Sequence, residues 1–217
     1  MRIFNSNSSG IVIINGKLSS VGFSGVQGNN QKAIDERVLA PFSGIIVKGS
    51  ASVICTISDS QKVVVEADSN LLELISTEVR NNILFVTTKG SYSTSNPINI
   101  VCSTPALLTA EVSGSGDIDI FELNQETITL HVSGSGDITA QGRVTEVSAN
   151  VRGSGDIDCT ELIAAVGRAT LNGSGDIRIS CNERITADCN GSGDIKVYGK
   201  PAIQNTHHNG SGAIKIM

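Results

Sequence analysis

Asp117, Asp137, Asp156, Asp176 and Asp194 each stand fourth in a Gly-Ser-Gly-Asp-Ile pentapeptide. Carboxylates repeated at near-constant spacing can do two kinds of chemistry. Each can accept hydrogen bonds from backbone N–H groups of a neighbouring Gly-Ser-Gly corner, a small anion nest. Alternatively, the set can hold hard cations, as the calcium-binding Gly-rich β-rolls do. Like charges about 5 Å apart repel by roughly 1 kcal/mol in water and more near a low-dielectric surface, so either donors or cations must neutralise the row. The spacing favours hydrogen bonding. Calcium rolls carry Asp in every half-turn, whereas one Asp occurs here per 18 to 20 residues, with no second ligand set at fixed spacing. A sixth copy of the motif has Ala213 in the Asp place, in the unit with no successor to bond.

The other reactive side chains do not converge. His131 and His207 fall in one outward column four units apart, roughly 19 Å at the usual strand spacing and too far to share a metal. His208 replaces an apolar residue in the last unit. No G-x-S-x-G elbow or Cys/His nucleophile pair is present. The Gly-rich motif has no Lys after it and falls between strands, unlike a phosphate loop. Polysaccharide-cleaving β-helices need clustered carboxylates or bases in a groove. The column after the motif instead changes sign along the axis, from Asp119, Thr139 and Asp158 to Arg178, Lys196 and Lys215, as a surface gradient does. These features predict no catalytic residues, no metal and no cofactor. Cys55, Cys102, Cys159, Cys181 and Cys189 form no C-x-x-C pair and read as buried reduced thiols, with a Cys181–Cys189 bridge as the alternative in an exported chain.

What positions these groups is the repeat. The motif copies begin at Gly114, Gly134, Gly153, Gly173, Gly191 and Gly210, spaced 20, 19, 20, 18 and 19 residues. Before each copy, apolar residues alternate with polar ones. Two positions back stand Val112, Val132, Val151, Leu171, Cys189 and His208. Four back stand Ala110, Leu130, Ala149, Ala169, Ala187 and Thr206. Six back stand Leu108, Ile128, Val147, Gly167, Ile185 and Gln204. A second alternating strand starts at the motif Ile. Gly-Ser-Gly is then a corner whose glycines supply positive φ where a Cβ would clash. Units this short cannot bury their own apolar faces but can when stacked, each paired with the next at about 4.8 Å. The sequence predicts an all-β, right-handed parallel β-helix (β-solenoid) with rungs of about 19–20 residues.

The first half carries the same grammar in worn form. IIVKGSASVI (45–54) reads as strand, Gly-Ser-Ala-Ser corner, strand; KVVVEA (62–67) and ILFVTT (83–88) are further strands, and LLELISTEVRNN between them is irregular or briefly helical. SGVQGNNQKAIDE (24–36) reads as a polar connection from an N-terminal strand piece, Gly10–Gly16. The expected organisation is residues 1–37 as that piece, a possible cap, and its connection, and 38–217 as the solenoid. Only 3% aromatics and no Trp argue against a stacking platform for bases or sugars, and a net charge of −5 disfavours nucleic acid. No run of 18 apolar residues marks a membrane span. The start, MRIFNSNSSGIVIING, lacks an apolar stretch long enough for a secretory signal.

The stretch from APFSGIIVKGSASV through KVVVEADSNLLELISTEVRNNILFV to ALLTAEVSGSGDI, with its further motif copies, resembles the bacterial auto-transporter adhesin head domains, also called GIN domains. The resemblance covers about residues 38–217. It implies a β-solenoid of the cell envelope with an adhesion role, no assigned activity and no catalytic residues to carry over. Similar proteins usually begin with an export or lipoprotein signal. The resemblance thus points to the cell surface or periplasm, and a complete sequence without a signal to the cytoplasm. The expected function is a non-enzymatic binding or adhesion module for a protein or glycan ligand, the alternatives being a self-associating scaffold and a polysaccharide-active enzyme. The uncovered final motif, ending at Met217, predicts a homo-oligomer through the C-terminal end.

Overall fold

The computed structural model describes residues 10–14, 17–21 and 25–217; the rest of the expected N-terminal piece, including Asn15 and Gly16, lies outside the described residues. Strands β1 (Gly10–Ile14) and β2 (Lys17–Val21) pair antiparallel. β3 (Val26–Gln27) and β4 (Lys32–Glu36) follow where the sequence reads as a polar connection. β4 is a strand because its backbone pairs antiparallel with β7 (Lys62–Asp68), not because it buries an apolar face: Ile34 is 70% exposed.

The worn half continues with β5 (Gly44–Lys48) and β6 (Ser52–Ile57), on either side of the Gly49-Ser50-Ala51 corner. After β7, a single 3-10 turn at Leu72–Leu74 leads into β8 (Ile75–Arg80), paired antiparallel with β9 (Ile83–Thr88). The helical reading thus holds only for that turn. The remainder of the segment is a hairpin closed by Asn81 and Asn82, both at positive φ (51° and 60°), the conformation that a two-residue hairpin turn demands. β10 (Tyr92–Ser93) pairs with β3, and β11 (Asn99–Thr104) returns beside β6.

The regular stack is β12 (Thr109–Val112), β13 (Ile118–Val132), β14 (Ile138–Val151), β15 (Ile157–Leu171), β16 (Ile177–Cys189), β17 (Ile195–Tyr198), β18 (Ile203–His208) and β19 (Ile214–Ile216). Successive rungs pair parallel, in the register the motif spacing demands: Ile118 beside Ile138, then Ile157, Ile177, Ile195 and Ile214. The fold is an all-β solenoid of about 5 turns. Strands after one corner run on into the next rung's first strand, so β13 to β16 each hold 13 to 15 residues, with register shifts at the intervening bend.

The core is a set of like-on-like columns. Val112, Val132, Val151, Leu171 and Cys189 form one, and Ala110, Leu130, Ala149, Ala169 and Ala187 another, all buried. Small side chains suit the second because it fills a narrow interior. The alternation misplaces one residue. Leu108 is 52% exposed, while Leu107 is buried, because Leu108 precedes β12 and the Gln125 side chain bonds both the N–H and C=O of Leu107. All five cysteines are free and buried. Cys181 and Cys189 share strand β16 eight residues apart and face different neighbours, Ala164 and Leu171, so a bridge between them has no support.

Candidate functional site

Packing, rather than backbone strain, explains the motif glycines. None of them has positive φ. A Cβ on Gly134 or Gly136 would instead fall well inside contact distance of the carbonyl oxygens of Gly114 or Gly116, one rung back, and the same holds up to Gly210 and Gly212. Close approach lets the carbonyls of Gly49, Gly114, Gly134 and Gly191 each accept two N–H groups from the following rung, while those of Gly153 and Gly173 accept the Ser N–H alone. Gly114 O receives Ser135 N–H at 2.9 Å and Gly136 N–H at 3.2 Å.

The next donor, the Asp N–H, goes in every rung from Asp137 to Asp194 to the carboxylate of the preceding rung rather than to a corner carbonyl. Asp137 N–H donates to Asp117 Oδ1 at 2.9 Å, Asp156 N–H to Asp137 Oδ1 at 2.7 Å, and Asp176 N–H to Asp156 Oδ1 at 2.7 Å. Asp194 N–H reaches Asp176 Oδ1 at 2.8 Å, and Ala213 N–H reaches Asp194 Oδ1 at 2.9 Å. The donor is therefore the motif Asp itself, one residue past the corner. Meanwhile each Asp carbonyl accepts an N–H of the rung before it, from Val53 at Asp117 and from the motif Ile elsewhere, as Asp156 O does from Ile138 at 3.0 Å.

Each motif residue thus reads one direction along the axis. Gly is required by the rung behind, Asp by the rung ahead. The last copy keeps Gly210 and Gly212 but has Ala213, and among the described residues no rung pairs beyond it. In the worn first copy Ala51 replaces the second Gly, and Ser52, in the Asp place, offers its Oγ to Asp117 N–H at 3.4 Å.

The remaining carboxylate oxygens divide the row. Arg178 pairs with Asp156 Oδ2 at 3.2 Å, Lys196 with Asp176 Oδ2 at 3.2 Å and Lys215 with Asp194 Oδ2 at 2.7 Å, each cation reaching one rung back. Burial opposes ionisation of Asp176, but the Asp194 N–H together with Lys196 and Arg178 outweighs it and holds that carboxyl below the usual range. The Lys215 ammonium and the Ala213 N–H do the same for Asp194. At the positions that would serve Asp117 and Asp137 stand Thr139 and Asp158, and neither carboxylate has an ion pair among the described residues. The gradient from Asp119 to Lys215 is thus partly the ladder's own counter-charge. Sequence reading missed these cations as partners; their constant place two residues after the motif Asp was the available signal.

His131 and His207 occupy one outward column four registers apart, and His208 is exposed in the final rung. Among the described residues, no three His, Cys, Asp or Glu side chains come together as a metal-holding group. What the first-strand face does present is two polar columns in register: Thr109, Thr129, Ser148, Arg168, Thr186 and Asn205, and Glu111, His131, Asn150, Thr170, Asp188 and His207. A shallow depression of about 400 Å³ opens on this face between Thr186, Asp188, Asn205 and His207.

A family described as "Putative auto-transporter adhesin, head GIN domain" has a sequence model that matches residues 41–201. The chain belongs to this family. For a GIN domain, an adhesion-like role at a general level follows from membership. None of the curated proteins compared with the sequence matches it. Among solved structures, this GIN domain is similar to a putative adhesin from Bacteroides fragilis, with 24% identity and a TM-score of 0.72 over 89% of this chain and 100% of that one. It is also similar to a putative adhesin from Parabacteroides merdae, with 16% identity and a TM-score of 0.55 over 88% and 98% of the two chains. A protein from Parabacteroides distasonis, described as a putative lipid binding protein, aligns at 22% identity and a TM-score of 0.50 over 88% and 99%. At these identities the likeness shows the GIN solenoid fold alone.

Proposed function

We propose that the chain is a non-enzymatic binding module of the bacterial cell envelope, using its first-strand face to hold a protein or glycan surface through many weak contacts. The observation that carries this reading is the pair of six-membered polar columns, in register at strand spacing on one sheet face. Identical spacing lets an extended ligand repeat one contact from rung to rung, and linked contacts multiply affinity without any single strong one. The most regular carboxylates are engaged with backbone N–H groups, which fits a scaffold that presents a surface rather than one that moves protons. Glycan arrays and pull-downs from envelope fractions test the reading. Retention by the wild type that is lost in Asn150→Lys/Thr170→Lys, at unchanged melting temperature, supports it. Specific hydrolysis or lysis of a polysaccharide by the pure protein overturns it.

One observation favours a second reading, a self-associating scaffold. β18 is exposed along its whole length, and among the described residues β18 and β19 each pair on one side only. Ile214→Lys/Ile216→Lys should then convert an oligomer into a folded monomer by light scattering. A wild type already monomeric at high micromolar concentration removes this reading.

A further inference from the structure

The sequence reading pointed to Cys181 and Cys189 for any bridge, yet the fold opposes a different pair. Cys55 on β6 and Cys102 on β11 are direct register partners on adjacent parallel strands. Both side chains lie in the core, at 0% and 3% exposure. Neighbouring strands put such Cα atoms about 4.8 Å apart, inside the roughly 4.4–6.8 Å that a disulfide spans. The other three thiols have no such partner: in register, Cys159 faces Ile179, Cys181 faces Ala164, and Cys189 faces Leu171 and His208.

The position of the pair is informative. Residues 56–101 leave the first rung at β6, build β7 to β10 and return at β11. Cys55 and Cys102 thus stand at the two feet of the most irregular segment of the solenoid. The aspartate ladder does not reach this segment: its first acceptor is Ser52, three residues before Cys55, at the long distance of 3.4 Å. A covalent link here would close 46 residues into a loop, and closing a loop of that length stabilises the fold chiefly by restricting the unfolded chain.

We propose that Cys55 and Cys102 form a structural disulfide when the chain folds in an oxidising compartment, stapling the irregular segment to the first regular rung. The co-reactant is a small-molecule disulfide. The thiolate of one cysteine attacks it, releasing one small thiol and leaving a mixed disulfide. The second thiolate then attacks the protein sulfur, expelling the second small thiol. Two protein thiols are oxidised by two electrons, and one small disulfide is reduced to two thiols. In the folded chain the neighbouring Cys55 thiol and burial both raise the Cys102 pKa and suppress its thiolate, so the exchange belongs to folding rather than to the finished fold. Such bonds persist in secreted, periplasmic and surface proteins. The bond is a property of the chain in that setting and does not depend on the binding role proposed above.

The test is to reduce and denature the full chain, refold it in oxidised and reduced glutathione, alkylate it, and map the peptides by mass spectrometry. The expected product has three alkylated cysteines, Cys159, Cys181 and Cys189, and one linked peptide pair containing Cys55 and Cys102. Five alkylated cysteines in refolded protein with native circular dichroism overturn the proposal, as does a bond between any other pair. Cys102→Ser refolded in the same buffer should keep all four remaining thiols alkylatable. Cys55→Ala gives the same readout if that variant does not fold, since Ala140 already occupies this inward column in a regular rung.

Discussion

Between Thr109 and Ile216 the register of every rung is set by the same short motif, whereas between Val26 and Thr104 it is set by side chains that each occur once. In the regular stack, Gly accommodates the rung behind and Asp accepts from the rung ahead, so the same solution is copied from rung to rung. In the worn half the pins are individual. Thr104 Oγ1 donates to Phe42 O at 2.7 Å in the core. Gln61 takes the Phe42 N–H at 3.0 Å and donates to Ala40 O at 3.0 Å. The buried Asp68 accepts from Thr94 Oγ1 at 2.7 Å and Asn96 Nδ2 at 2.6 Å. The comparison teaches that the motif keeps its second Gly where a motif corner lies behind it and its Asp where an Asp N–H lies ahead, with Ser52 as the one weaker acceptor. Behind the worn copy lies the irregular half, and there Gly relaxes to Ala51; Ser52 still takes the Asp117 N–H of the rung ahead, over a longer distance than the aspartates do.

The largest effect expected from breaking this contrast is at the glycines. Gly155→Ala would drive a Cβ into the Gly136 carbonyl and should cost more than about 3 kcal/mol in chemical denaturation, because rigid backbone cannot yield. Ala51→Gly, at the equivalent place in the worn copy, should cost about 1 kcal/mol or less. Next comes the ladder. Asp156→Ala should cost about 1–3 kcal/mol by leaving the Asp176 N–H unpaired. Ala213→Asp should change stability by less than about 0.5 kcal/mol, since no N–H among the described residues is placed to use the carboxylate. Equal costs at the two sites would contradict the directional reading.

A smaller effect concerns acid. Asp176 and Asp194 have lowered pKa values in the folded chain, so below neutrality the unfolded chain binds protons first. The stability these groups supply is complete above the ordinary aspartate range and is lost as pH falls through that range toward their folded values. Melting temperature should therefore fall on the acid side, from about pH 4 downward. The double variant Asp176→Asn/Asp194→Asn should show a shallower fall, and an unchanged slope would remove these two groups from the account. The smallest expected effect is none: chelator should leave the melting temperature unaltered. A chelator-induced loss restored by calcium would put the unpaired Asp117 and Asp137 end of the row to a different use.

The rungs were legible because period and alternation reinforce each other across six copies. The inward columns from Ile118 to Ile195 follow from the sequence without help. What the alternation could not give were contacts made by geometry particular to one place. Leu107 is buried instead of Leu108 because of a single Gln125 amide, and β4 exists through backbone pairing with no apolar signature. The reason for the glycines was misjudged, since a sequence reports that Cβ is forbidden but not whether torsion or a neighbouring carbonyl forbids it. In the ladder, the constant place of Arg178, Lys196 and Lys215 two residues after the motif Asp marked them as partners, but which rung each cation leans toward is a direction that spacing alone does not encode.

Amide hydrogen exchange in Asp156→Ala and Asp156→Asn tests the directional ladder most directly. In Asp156→Ala the Asp176 N–H, one rung ahead, should lose protection. The N–H of residue 156 itself, held by Asp137 Oδ1 behind it, should keep its own. Asp156→Asn retains an acceptor oxygen and should restore protection at Asp176. Unchanged exchange at Asp176 in Asp156→Ala, or loss of protection at residue 156 instead, would contradict the account.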